Sequence, residues 1–153
     1  MFRRTLVLTL FAALVALAAD KPNFSGSWKI NATKSELGQM PAPEKFERTI
    51  EHKDPSMKVS TVQAMNGNER SSTMEYTING QEQTVKTGMG EAKVTPTWKD
   101  NTLEVTIKRD FQGNEMKSVE LWTLSADGKT LNVAFQLSGP MGEMAMKFVF
   151  DKQ

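Results

Sequence analysis

The chain has 153 residues with 19 basic against 18 acidic side chains, a single histidine and no cysteine. Near-neutral charge with both signs interspersed argues against a nucleic-acid partner, which asks for a basic patch, and no run of like charge marks a membrane-surface segment. Without cysteine there are no disulfides, thiolate nucleophiles or zinc knuckles, so stability has to come from a packed core.

Reading from the start, Arg3 and Arg4 precede an apolar run from Leu6 to Ala18, broken only by Thr9. Small residues at Ala16, Ala18 and Ala19 then lead to the first acid, Asp20. This layout predicts a signal peptide over residues 1–19. The run is shorter than the roughly 20 residues a membrane-spanning helix needs. With no cysteine behind it, a lipid-modified anchor is excluded. Residues 20–153 are then expected to form one exported domain, periplasmic or secreted and soluble, with no membrane insertion after cleavage.

From Phe24 onward the apolar period is two. Phe24, Gly26, Trp28 and Ile30 share one face, and Phe46 and Ile50 share another. Met74, Tyr76 and Ile78 follow, then Leu103, Val105 and Ile107, then Leu131, Val133, Phe135 and Leu137, and last Met144, Met146, Phe148 and Phe150. Such alternation predicts antiparallel strands with one buried and one wet face. Turn residues separate them: Asn66-Gly67, Asn79-Gly80, Gly88-Met89-Gly90, Asp100-Asn101, Gly113-Asn114, Asp127-Gly128 and Gly139-Pro140. Asn-Gly and Asp-Gly supply the positive φ of tight hairpins. The pattern predicts about ten strands, starting near 24, 45, 57, 70, 82, 91, 102, 115, 130 and 143. The one long connection, 32–44, carries Gly38, Pro41 and Pro43 and reads as a loop with at most a helical turn near Lys34–Leu37. Consecutive hairpins need a way to hide their edges, and closure does so. The expected fold is therefore a single all-β, up-and-down antiparallel barrel of about eight to ten strands, with a sandwich or open curved sheet as the alternative.

The first strand, Pro22-Asn23-Phe24-Ser25-Gly26-Ser27-Trp28-Lys29-Ile30, has an F-x-G-x-W core that resembles the opening strand of lipocalins. Its G-x-W-K-I form is similar to that of fatty-acid-binding proteins. Trp122 to Leu131, W-T-L-S-A-D-G-K-T-L, resembles the late hairpin of small exported lipocalin-like bacterial proteins. The resemblance implies a calycin barrel that holds a small hydrophobic molecule. Lipocalins set an arginine of the last strand over the opening tryptophan, whereas Met144 to Asp151 offers Lys147 and no arginine. The Arg-x-Tyr pair that holds a ligand carboxylate in fatty-acid-binding proteins is missing too, and 32–44 leaves no room for their helical lid.

Trp28 is expected to plug one end of the barrel, with Gly26 admitting a close neighbouring backbone. Arg48 shares the face of Phe46 and Ile50 and so points inward. A charge there is costly unless it is paired, with Glu75 as one candidate, or serves a ligand. Arg109 reads as a wet rim residue, and His52 as an exposed residue beside the turn at Lys53-Asp54-Pro55. No nucleophile elbow, metal spacing or phosphate loop is present, so no enzyme activity and no cofactor are expected. The leading expectation is a carrier whose pocket is lined by Phe46, Tyr76, Phe135, Met144, Met146 and Phe148, with Arg48 as polar anchor. Two alternatives stand beside it. One is a ligand-free interaction or envelope-associated module. The other is a Cu(I) site on Met141, Met144 and Met146, helped by Met89 or His52, because thioethers are soft ligands.

Overall fold

The computed structural model describes residues 20–153, and the expected signal peptide, residues 1–19, lies outside them. The period-two segments become ten antiparallel strands: β1 (Gly26–Ile30), β2 (Lys45–Lys53), β3 (Ser56–Met65), β4 (Asn68–Thr77), β5 (Gln83–Thr87), β6 (Gly90–Lys99), β7 (Thr102–Phe111), β8 (Asn114–Leu124), β9 (Thr130–Gly139) and β10 (Gly142–Lys152). No helix occurs among the described residues, so the 32–44 connection has a turn but no helical lid. Each strand pairs with its sequence neighbours, except that β1 also pairs with β10 and that β4 and β5 form no ladder.

The sheet thus curls into a nearly closed barrel with its one seam between β4 and β5. Backbone donors explain the seam. After Thr77 the chain turns away, and Ile78 donates to the Pro55 carbonyl at 2.7 Å and Gly80 to the Pro96 carbonyl at 2.9 Å. Pro96 has no N–H to offer, and it lies past Val94, the last β6 residue that β5 pairs, so nothing there is left unpaired. The seam is bridged instead by Gln83, whose amide accepts from the Thr77 N–H at 2.9 Å and donates to the Thr77 carbonyl at 2.6 Å. Farther along, Gly88 packs onto β4 so closely that a Cβ would lie 2.8 Å from the Ser71 carbonyl oxygen.

The topology gives the barrel two different ends. One carries the 31–44 loop and the turns after β3, β5, β7 and β9. The other is filled: Phe24, Trp28, Leu103, Val105, Trp122, Leu131, Val133 and Phe150 have essentially no exposed surface. Phe24 stands edge-on to Trp122 at 5.6 Å and stacks on His52 at 5.7 Å and Trp98 at 6.0 Å. Rings in such arrangements add about 0.5–1.5 kcal/mol per pair beyond their burial.

Trp28 is buried as expected and donates from Nε1 to the Phe24 carbonyl at 2.9 Å. β10 runs one residue past Asp151, and Lys152 places its ammonium 5.4 Å from the Trp28 ring centroid. A last-strand cation therefore covers the opening tryptophan after all, as a lysine. Gly26 is required for reasons other than a close backbone: its φ is +139°, and a Cβ there would meet the Lys152 Cε at 2.8 Å. His52 is not exposed. Its alternation with Ile50 turns the ring inward, where Nδ1 accepts from the Phe24 N–H at 3.2 Å.

Candidate functional site

Above the filled half the barrel is hollow. A cavity of about 380 Å³ is bounded by Phe46 and Arg48 of β2, Thr61, Gln63 and Met65 of β3, and Ser72 and Met74 of β4. Ile107 and Arg109 of β7, Met116, Ser118 and Glu120 of β8, Phe135 and Leu137 of β9, and Met146 and Phe148 of β10 complete its wall. Leu37, Met40, Pro41 and Pro43 of the 31–44 loop, together with Met89 from the β5–β6 turn, form the mouth. The loop is tied down by a bridge between Glu36 and Lys147, with backbone bonds of 2.8 Å in both directions. Its prolines cannot extend the sheet, so it crosses the opening rather than adding a strand.

The floor is an ion pair. Arg48 and Glu120 meet in bidentate fashion, Nη1 to Oε2 at 3.0 Å and Nη2 to Oε1 at 3.2 Å, with both side chains over 90% buried. Trp122 Nε1 donates to the same Oε2 at 2.7 Å. The guanidinium carbon lies 5.1 Å from the Trp122 ring centroid and 5.4 Å from those of Phe46 and Phe150. Alternation thus drives Arg48 inward as expected, but its acid is Glu120. Glu75 is on the outer face, 3.6 Å from Lys58. Within the pair, only Arg48 Nε is buried without a hydrogen-bond partner among the described residues.

Of the expected lining, Phe46, Arg48, Phe135, Met146 and Phe148 surround this cavity. Tyr76 sits a layer lower, in the filled half. Its hydroxyl is shielded from solvent without a partner among the described residues, and burial, followed by the charge of Glu120, pushes its pKa well above the ordinary value. Met144, 42% exposed, does not line the cavity: it lies opposite Leu137 on the same face, nearer the β9–β10 hairpin tip. There it lines a rim groove of about 490 Å³ with Phe111, Pro140 and Met141, and that groove shares Met116 and Leu137 with the cavity. The methionine trio is therefore divided: Met141 and Met144 line that groove, whereas Met146 faces the cavity. Of the two extra ligands suggested, Met89 stands at the cavity mouth and His52 is in the filled half against Phe24. Among the described residues no cluster of three His, Asp or Glu side chains has metal-holding geometry.

Two residues of the site escaped the sequence reading. Glu120 was hidden because β8 carries apolar Val119 and Leu121 on its outer face, which blurs the phase; Trp122, two residues on, gives the correct parity. Arg109 is half-buried and faces the cavity. Its Nε is shielded with no acceptor among the described residues, and Nη2 has only the Met74 sulfur at 3.9 Å. β7–β8 register places Arg109 opposite Met116, four residues nearer the mouth than Glu120. That is about 13 Å at the usual rise per strand residue.

The architecture is an up-and-down antiparallel barrel of ten strands, two more than the eight of lipocalins. Solved structures share it, two of them as follows. A zebrafish ileal bile-acid-binding protein complexed with cholic acid matches with a TM-score of 0.57 at 18% identity, over 85% of this chain and 98% of its own. Human cRBP IV matches with a TM-score of 0.53 at 15% identity, over 86% of this chain and 99% of its own. At these identities the likeness establishes a common fold. No protein-family model and no curated protein matches the sequence.

Proposed function

We propose that the protein binds and carries a small, predominantly apolar molecule in the barrel cavity, and that it does so after export. The observation that carries this reading is the division of one interior into a filled half and a hollow half. A barrel built only to be stable has no reason to leave Phe46, Phe135, Met146 and Phe148 facing about 380 Å³ of open space. That volume falls in the ordinary range of ligand pockets, roughly 300–1,000 Å³. Apolar area drives such binding at about 25 cal/mol per Å² buried, and one or two polar groups fix the orientation. Here Arg48 is charge-paired and would contribute through its Nε–H. Arg109, which forms no ion pair among the described residues, is the cation free to meet a polar end at the mouth. The zebrafish relative in fold was crystallised with cholic acid, a molecule of this general kind.

Filling the cavity tests the reading. Ser118 lines it on β8 opposite Ile107. Ser118→Trp should weaken decanol binding at least about tenfold by calorimetry, with an unchanged far-ultraviolet circular dichroism spectrum. A folded Ser118→Trp protein that binds decanol as the wild type does would remove the cavity as the site. A second reading, a protein-interaction module, is favoured by the exposed apolar tips Phe111 and Met141, which are 60% and 100% exposed. It predicts normal partner capture by the same variant.

A further inference from the structure

The hollow half differs from the filled half in more than volume. Six of the ten methionines in the chain line this cavity: Met40, Met65, Met74, Met89, Met116 and Met146. They come from the 31–44 loop, β3, β4, the β5–β6 turn, β8 and β10, so they surround the space rather than occupy one wall. Below the Arg48–Glu120 floor the composition changes. The fully buried side chains are Trp, Phe, Leu, Val and one Pro, and Met57 is the only buried methionine among the described residues.

The two chemistries suit different tasks. β-branched and aromatic side chains have few rotamers and fix one shape. Methionine is unbranched, has three rotatable bonds and a polarisable sulfur, and refills irregular space at little cost. Met65, Met74, Met116 and Met146 are each half-buried, neither locked in the core nor released to solvent. Surfaces lined this way repack around different guests, which is how promiscuous binders keep affinity without a fixed template. From the ring of thioethers around the cavity we infer that the site takes apolar molecules of several shapes, flexible chains, flat fused rings and compact cages alike, rather than one. This inference rests on the binding reading above.

Three neutral primary alcohols of similar size test it: decanol, naphthalenemethanol and adamantanemethanol. Their affinities for the wild-type protein, corrected for each probe's transfer from water to octanol, should agree within about threefold. A variant with Met65, Met74, Met116 and Met146 all replaced by Leu keeps the volume and loses flexibility, and volume-conserving swaps cost little. It should spread the three affinities by about tenfold or more. A wild-type spread beyond tenfold, or an identical spread in wild type and variant, overturns the inference while leaving the carrier reading intact. Binding of none of the three overturns the carrier reading itself. Should the quadruple variant fail to fold, methyl-labelled methionine NMR on the wild type decides. The cavity methyls should move to different positions with each probe, and a common bound pattern for all three would refute repacking.

Discussion

Removing one partner of the Arg48–Glu120 pair should be far more damaging than removing both. Glu120 accepts three hydrogen bonds, two from Arg48 and one from Trp122, at 2.7 to 3.2 Å, with over 90% of its side chain withdrawn from water. Arg48→Met leaves a buried carboxylate with the indole N–H as its only donor. Stranding a charge in this way typically costs about 3–5 kcal/mol, a fifth or more of the roughly 5–15 kcal/mol that holds a domain together. For a domain of this size that lowers Tm by on the order of 10 °C or more. Glu120→Leu strands the guanidinium and should cost a similar amount. The double variant, Arg48→Met with Glu120→Leu, strands neither. Apolar replacement of a whole buried pair is often neutral or stabilising by about 1–4 kcal/mol. Urea unfolding followed by far-ultraviolet circular dichroism gives all four corners of the cycle, and the coupling term should exceed about 3 kcal/mol. Single variants within about 1 kcal/mol of wild type, adding linearly in the double, would refute a buried, mutually dependent pair.

Three further outcomes follow from the filled half and the seam. Burial lowers the His52 pKa below 6.5 more than Asp54 raises it. The native protein then binds this proton less readily than the unfolded chain. Stability is complete above about pH 6.5 and declines as pH falls from there to the folded-state value. His52→Asn, which keeps an acceptor near the Phe24 N–H, should flatten that slope in urea midpoints measured between about pH 7.5 and 5; an unchanged slope would assign it to other groups. Gly88→Ala pushes a Cβ against the Ser71 carbonyl and should loosen the β4–β5 seam, read as faster hydrogen exchange at Thr77, whose N–H Gln83 holds across it, with β9 amides unaffected. Gly26→Ala, at a φ of +139°, should cost about 1–3 kcal/mol in urea unfolding, and a cost near zero would show that the backbone relaxes there.

Strand number and spacing were legible because each inward face is set by residues that cannot tolerate water, and because Gly and Asn at the turns announce positive φ. Ten strands begin within about two residues of the positions read from the alternation. What failed was information that alternation does not carry. Arg48 could be placed inside, but the identity of its acid depended on which strand lies across the barrel, and Glu120 is 72 residues away. Met144 shares parity with Met146, yet the strand projects beyond the wall at the β9–β10 hairpin, so parity without depth misplaced it. Tyr76 shares parity with Met74 and is one layer too deep for the same reason. The turn beside His52 suggests exposure, but its packing against Phe24 sets its burial. The closure expected of a barrel is incomplete at β4–β5, because residues 78–80 bond to Pro55 and Pro96 instead of to a neighbouring strand.

Native mass spectrometry of the protein, purified from its own host without detergent, tests the central claim most directly. The account predicts an added mass that persists on gentle desolvation, leaves on organic extraction and is absent from the Ser118→Trp variant. A bare protein mass that stays bare after incubation with mixed lipids and with the three alcohols would contradict it.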